Sequence, residues 1–115
     1  MPGINEIYQL RPTNDIVVME VVIGYAGKAS SVVTLDGVRI NSPFNDSFKL
    51  ELGTNQQLQG KKLEVTTLVI KTQAGSDKSS VTITLSGGVK EVTYPNPGNS
   101  PENPVVHRAT IYLIL

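Results

Sequence analysis

Apolar and polar residues alternate with a two-residue period along most of this chain. The clearest case is the segment DIVVMEVVIG (residues 15–24), in which Val17, Met19 and Val21 lie on one wholly apolar face. Alternation of this kind is typical of a β-strand with one face against a core. Each such segment here is closed by Gly, Pro, Asn, Asp or Ser, and none shows the apolar spacing of an amphipathic helix.

The same alternation predicts further strands and a shared core. We expect the core to contain Val17, Met19, Val21, Val33, Leu35, Phe48, Leu50, Val81, Ile83, Leu85, Ile111 and Leu113. Between two of the strands, Asp36-Gly37 supplies the two positive-φ positions that a type I′ hairpin turn requires. In KKLEVTTLVIKT the apolar residues change phase after Val65, and a β-bulge near Thr66-Thr67 would return Leu68 and Ile70 to the core face.

Short strands separated by turn residues at intervals of about ten residues predict an all-β fold. We expect an antiparallel β-sandwich of about seven to nine strands, immunoglobulin-like or jelly-roll-like in architecture, with a small β-barrel as the alternative. A chain of 115 residues fits a single domain over residues 1–115 and can bury a core without disulfides or metal.

A proline-rich segment, YPNPGNSPENPVVHR, interrupts the strand pattern and is interpreted as a stiff connection between two strands. Its prolines are Pro95, Pro97, Pro101 and Pro104. Prolines hold a loop extended and reduce the entropy lost when a partner orders it. Proline also blunts exposed sheet edges, and this second role is the favoured one.

If successive strands run antiparallel, one end of the sandwich collects YAGK, NSPFND, QAGSDK and the proline segment. Loops on a rigid scaffold commonly carry binding residues. The aromatic and polar side chains of these loops form a candidate ligand rim, which consists of Tyr25, Phe44, Asp77, Lys78, Asn96 and Asn99.

A second candidate surface consists of apolar residues on strand faces that should contact water. These residues, the candidate interface, are Ile16, Val18, Val22, Tyr112 and Ile114. Monomeric proteins seldom expose large contiguous apolar patches, so a second subunit or a partner is expected to cover them. The alternative is that loops of the same chain cover them.

Charge and composition exclude several classes of function. Ten basic and ten acidic residues cancel without a run of either sign, so we expect no nucleic-acid partner. The N-terminal segment MPGINEIYQLRP lacks the basic region and apolar run of a signal peptide, and no apolar run approaches the roughly 20 residues of a membrane span. We therefore expect no membrane insertion and favour a soluble, cytoplasmic protein, unless an export signal has been removed.

The residues that commonly carry catalysis or hold cofactors are few. The chain has no cysteine, and its single histidine, His107, is expected to be a strand residue near the sheet margin. No serine has the nucleophile-elbow context, and no glycine cluster matches a phosphate-binding loop. Asp36, Asn41, Asn45 and Asp46 are more typical of turns than of calcium ligands. We predict no catalytic, metal or cofactor site.

These observations favour a non-enzymatic structural or protein-interaction β-sandwich, self-associating or acting as an accessory subunit of a larger assembly. The alternative is a small-ligand module of the carbohydrate-binding type that uses the candidate ligand rim. Support for it is limited, because the chain has no tryptophan and few aromatic side chains to stack on a sugar ring.

Overall fold

Strands account for most of the regular structure, as the alternation predicts. The computed structural model describes residues 2–40, 44–73 and 75–115. Its strands are β1 (Gly3–Gln9), β2 (Ile16–Ile23), β3 (Lys28–Leu35), β4 (Val38–Arg39), β5 (Phe44–Asn45), β6 (Phe48–Thr54), β7 (Lys62–Ile70), β8 (Lys78–Ser86), β9 (Val92–Asn99) and β10 (Val105–Ile114), and its helix is α1 (Asn55–Leu58). Within the described ranges, no helix is long and apolar enough to cross a membrane.

Two sheets pack face to face and enclose the core. The larger sheet has the order β1-β10-β7-β3-β4, with β5 also paired to β3, and the smaller one has the order β6-β2-β8-β9. The two sheets do not join into a closed barrel, so the predicted all-β sandwich is confirmed. Their inward side chains form one buried cluster, whose largest fully buried members are Tyr8, Leu10, Met19, Leu58, Leu63, Ile83, Leu85, Ile111 and Leu113.

The direction of the strands sorts the connections between the two ends of the sandwich. Residues 24–27, 71–73, 75–77 and 100–104 meet at one end, here called the loop end. There Ser100 N donates to Asp77 O (2.9 Å) and the Thr72 hydroxyl donates to Ala26 O (2.9 Å). Segments 10–15, 55–60 and 87–88 meet at the opposite end, here called the helix end. Strand pairs are antiparallel except β1 and β10, which run parallel.

The predicted hairpin turn and most of the predicted core are confirmed. Asp36 (φ 50°) and Gly37 (φ 81°) form the turn between the paired residues Leu35 and Val38. Nine of the twelve predicted core residues are buried, whereas Leu35, Phe48 and Leu50 are half-buried and pack against the cluster. Phe48 and Leu50 are less covered because β6 is the outermost strand of its sheet.

The β-bulge predicted near Thr66-Thr67 is wrong. Strand β7 keeps one register with both neighbours through this segment, so Leu68 and Ile70 face outward. The inward position is taken by Thr67, which is buried and forms a 2.7 Å hydroxyl–hydroxyl bond with Ser31. A hydrogen-bonded partner removes most of the cost of burying a polar group, and this makes the unbroken register possible. The register shift between β2 and β6 lies instead at Val17/Val18.

The proline-rich segment is also not a simple connection between strands. Pro95 and Pro97 lie within β9, opposite Thr82 and Ser80 of β8, and only residues 100–104 connect β9 to β10. Strand β9 is the outermost strand of its sheet, and an edge strand tolerates proline where the missing N–H would point to solvent. The edge-blunting role favoured for these prolines agrees with this position.

Candidate functional site

The five residues of the candidate interface lie on two opposite faces of the sandwich. Ile16, Val18 and Val22 belong to β2 and point outward from the smaller sheet, because they alternate with buried residues of that strand. Tyr112 and Ile114 belong to β10 and point outward from the larger sheet. The structure therefore does not bring the five residues together into one surface.

On the outer face of the smaller sheet, Ile16 and Val18 are neighbours along β2, and Glu20 separates them from Val22. Val18 lies between Glu51 of β6 and Ser86 of β8, and Val22 lies opposite Thr82 of β8. Across the strands, the apolar residues therefore have polar neighbours, as is typical of a sheet face that contacts water. A few apolar side chains on such a face need no partner to explain them.

On the outer face of the larger sheet, apolar residues are contiguous. Ile7 lies opposite Tyr112 in the β1–β10 pair, and Ile114 follows on the same face. The exposed fractions are 60% for Ile7, 44% for Tyr112 and 42% for Ile114. Val89, just after β8, joins Ile7 and Ile114 along a groove of about 330 Å³. We call Ile7, Val89, Tyr112 and Ile114 the corner patch.

Two tyrosines form the floor of this groove and fasten it to the smaller sheet. The Tyr8 hydroxyl donates to Lys90 O (3.0 Å) and accepts from Gly88 N (2.9 Å). The Tyr94 hydroxyl donates to Ile7 O (2.9 Å), and burial raises the pKa of Tyr94 to about 12. Both hydroxyls therefore link β1 to residues 88–94 beside the groove.

The sequence pattern identified Tyr112 and Ile114 but not the rest of the corner patch. In GINEIYQ, Ile4 and Ile7 are three residues apart, so this segment lacks the alternation of a strand. Ile7 faces outward and Tyr8 inward, which only the pairing with β10 decides. The sequence predicts a short strand through Val89 and Val92 after Gly87-Gly88, but β9 begins only at Val92, so Val89 lies in the connection before it.

The structure places three residues of the candidate ligand rim around one depression. Tyr25, Lys78 and Asn99 line a cavity of about 270 Å³ at the loop end, and Asp77 lines a neighbouring one of about 300 Å³. The other two rim residues face elsewhere. Phe44 stacks on Phe48 with ring centroids 4.3 Å apart, and Asn96 is buried with its amide donating to Arg108 O (3.1 Å).

The turn that presents Tyr25 has an unusual backbone. Tyr25 and Ala26 both have a φ of 54°, and Gly27 N donates to Gly24 O (3.1 Å), which describes a turn with two left-handed residues. Glycine and asparagine are the usual residues there, since a side chain in this region costs about 1 kcal/mol. The turn therefore holds a tyrosine, 48% exposed, at a backbone cost.

The single histidine lies in strand β10, as predicted, near the start of that strand, and its side chain is buried between the sheets. His107 is 1% exposed, and its Nδ1 lies 3.0 Å from Asn96 O while its Nε2 lies 2.8 Å from Ser79 Oγ. A carbonyl oxygen only accepts, so Nδ1 carries the proton and Nε2 accepts from the Ser79 hydroxyl. Burial lowers the pKa of His107, and the hydrogen bond to Asn96 opposes this in part.

The Ser79–His107 pair has the contacts of a base beside a hydroxyl, but the backbone of β9 covers it. A Cβ added to Gly98 would lie 2.8 Å from Ser79 Oγ and 3.0 Å from His107 Cε1. Ser79 is 2% exposed, so no space remains for a substrate carbonyl at its oxygen. What the pair does in this arrangement is to join β10 of one sheet to β8 and β9 of the other.

Two of the residues considered above as calcium ligands, Asp36 and Asp46, accept hydrogen bonds from the backbone of neighbouring strands. Asp36 Oδ1 accepts from Lys62 N (2.8 Å), and Asp46 Oδ1 accepts from Ala29 N (3.0 Å). In residues 2–40, 44–73 and 75–115, no three His, Cys, Asp or Glu side chains come together as metal ligands. Asn41 lies outside the described residues.

No protein-family model, curated protein or solved structure matches this chain. The corner patch brings together four exposed large hydrophobic side chains, three of which line the groove.

Proposed function

We propose that this chain is a non-enzymatic protein-interaction domain, which self-associates or serves as an accessory subunit through its corner patch. The observation that supports the proposal is the contiguity of Ile7, Tyr112 and Ile114 on a sheet face, each more than two-fifths exposed. Burial of apolar surface gains about 25 cal/mol per Å², and such patches on soluble proteins commonly mark interaction sites.

The chemistry of the groove favours a protein over a small polar ligand. The hydroxyl protons of Tyr8 and Tyr94 are already donated to backbone carbonyls, so neither hydroxyl can donate to a ligand. Charges of both signs, Glu6 and Lys90, line the groove beside its apolar part. An apolar centre with a charged rim is the usual composition of a protein–protein interface.

The test compares two lysine substitutions of similar exposure on opposite faces. Ile7→Lys places a charge in the corner patch, where burial against a partner would remove its hydration. Val22→Lys is the matched control, because Val22 is a β-branched strand residue, 46% exposed, on the face with polar neighbours. We expect sedimentation velocity over a concentration series to show association of the wild type and Val22→Lys, and a loss of at least about tenfold in affinity for Ile7→Lys.

The proposal fails if Ile7→Lys and Val22→Lys associate equally well. It also fails if the wild type is monomeric at every concentration and cross-links to the same cellular proteins as Ile7→Lys. Circular dichroism of both variants separates loss of association from loss of folding.

A second candidate function is binding of a small carbohydrate-type ligand at the loop end. The observation that favours it is the strained turn that holds Tyr25 beside Lys78 and Asn99 around the 270 Å³ depression. An aromatic face with nearby polar groups is suited to a sugar ring. Binding to a glycan array that Tyr25→Ser abolishes, and that Tyr112→Ser leaves intact, would support this function, whereas an array without signal would contradict it.

A further inference from the structure

The two outer strands of the smaller sheet differ in whether a further strand could form hydrogen bonds with them. Strand β9 carries Pro95 and Pro97 at alternate positions, which removes two N–H donors from its open side. Strand β6 has no proline and, among the described residues, pairs with β2 alone. An edge with free backbone groups is a template for another strand, so β6 is the accessible margin of this sheet.

The side chains of β6 are half-covered on the inner side and charged on the outer side. Phe48 and Leu50 face the core but are only half-buried, whereas Lys49 and Glu51 are exposed on the outer face. A strand added beside β6 would cover the remaining apolar surface of Phe48 and Leu50. The added strand must offer apolar groups inward and charged groups outward with the same period.

A second copy of β6 satisfies this requirement in one antiparallel register. When the pair is centred on Leu50, Lys49 of each copy lies opposite Glu51 of the other, which gives two opposite-charge pairs on the outer face. A pair centred on Lys49 places two lysines opposite each other, and a pair centred on Glu51 places two glutamates opposite each other. Like charges directly opposite are destabilising, so only the first register is favourable.

We propose that β6 pairs with β6 of a second copy of this chain, antiparallel and centred on Leu50, so that the two smaller sheets join into one continuous sheet. The contact is two-fold symmetric and self-complementary, as in most homodimers. The register shift opposite Val17/Val18 ends the regular part of β6 and confines the pairing to Phe48–Leu52. This inference rests on the proposed self-association and assigns it a second contact, on the opposite margin of the sandwich from the corner patch.

Charge reversal tests the register without depending on loss of folding. Lys49→Glu leaves only acidic residues at the two outward positions, and Glu51→Lys leaves only basic ones. Each variant alone then faces like charges, whereas a mixture of the two restores both opposite-charge pairs. The measurements are made in the Ile7→Lys background, so that the corner patch does not contribute.

In that background we expect dimers by sedimentation velocity, a dissociation constant raised about tenfold or more for each charge variant alone, and recovery in their equimolar mixture. High salt should reduce the difference between the single variants and the mixture. Recovery in the mixture cannot come from misfolded chains. Thr93→Lys, on the proline-bearing β9, is the control and should leave the dimer unchanged.

A monomeric Ile7→Lys chain, or a mixture that associates no better than its components, would overturn the β6 contact. The proposed function survives either result if the wild type still associates through the corner patch. A wild type that is monomeric at every concentration removes the β6 contact and self-association together.

Discussion

Two buried polar side chains, one at each end of the sandwich, hold the sheets and loops together by different chemistry. At the helix end, Asn55 accepts from Arg11 N (2.9 Å) and donates to Asp15 O (2.8 Å) and Gly87 O (2.9 Å). At the loop end, His107 bridges Asn96 O and the Ser79 hydroxyl. An amide does not titrate, whereas an imidazole does.

Because of this difference, the stability of the loop end depends on pH, whereas that of the helix end does not depend on its buried amide being titrated. The amide of Asn55 satisfies three backbone groups at any physiological pH. The neutral ring of His107 is the more favourable form in the folded protein, because burial disfavours the charged form more than the hydrogen bond to Asn96 O favours it. The loop end also contains the left-handed residues Tyr25 and Ala26. The strained backbone and the pH-dependent histidine contact therefore lie at the same end. The four rim residues that line the loop-end cavities, Tyr25, Asp77, Lys78 and Asn99, therefore lie at the end whose stability depends on pH.

The largest effect is expected at the helix end. Asn55→Ala leaves Arg11 N and Gly87 O without a partner, whereas Asp15 O still accepts from the backbone N–H of residue 55. Each unpaired group costs about 1–3 kcal/mol, so we expect a loss of about 2–6 kcal/mol in the free energy of unfolding, measured in urea. Gln57→Ala, which removes one of the two hydrogen bonds in the capping box of α1, is the control and should cost about 1 kcal/mol or less. Equal losses of unfolding free energy for the two variants would show that the hydrogen bonds of the Asn55 side chain do not stabilise the helix end.

The next effect concerns the pH dependence of stability. Because the folded pKa of His107 lies below its unfolded value of 6.5, the stability contribution of the neutral ring is complete above that pH. As the pH falls below it, the unfolded chain takes up the proton first and stability falls, by at most about 1.4 kcal/mol per pH unit from this group. Thermal unfolding at pH 7.5 and pH 5 should show this loss, and His107→Gln should reduce it. An unchanged loss in His107→Gln would assign it to other groups.

A smaller effect is expected from the hydroxyl that completes the loop-end contact. Ser79→Ala removes the donor to His107 Nε2 and should cost about 1–2 kcal/mol of unfolding free energy. Ser80→Ala is the matched control, since Ser80 is the neighbouring residue with the opposite facing in β8. If the two substitutions cost the same, the 2.8 Å contact contributes nothing to the joining of the sheets.

The smallest effect is a gain in stability at the strained turn. Ala26→Gly relieves a left-handed alanine and should raise the free energy of unfolding by about 0.5–1 kcal/mol. The same substitution at Ala29, in the extended strand β3, should lower it. Ala26→Gly keeps the Tyr25 side chain, so ligand binding at the loop end would persist. If Ala26→Gly instead lowers the free energy of unfolding, the backbone at Ala26 is not strained.

The fold was predictable where the local pattern and the tertiary environment agree. Val17, Met19 and Val21 alternate cleanly and are all buried, and Asp36-Gly37 forms the turn that its residue types require. These features depend on properties of neighbouring residues: the strand period and the backbone freedom of glycine.

The prediction failed where a distant partner decides the local state. Thr67 faces the core because Ser31 supplies a hydrogen bond from another strand, and Pro95 lies in a strand because that strand is at an edge. The residues of the candidate interface lie on two different sheets for a similar reason, because strand order depends on contacts between distant parts of the chain. The outward facing of Val18 and Tyr112 followed from alternation, but their assignment to different sheets depends on strand order, which no local pattern encodes.

The parallel pair of β1 and β10 constrains the order of folding events. Gly3 lies opposite Arg108, so pairing of β1 with β10 closes a loop that contains nearly the whole protein. Contacts between residues so distant in sequence form slowly, because the entropy of closing the loop is lost before any contact stabilises it. Strand β1 should therefore dock last, and pulse-labelling hydrogen exchange should find its amides protected after those of β2 and β8. Protection of β1 as early as that of β2 would contradict this order. Until β1 docks, β10 remains an open edge, and a newly synthesised chain would pass through a state that favours pairing with the wrong strand.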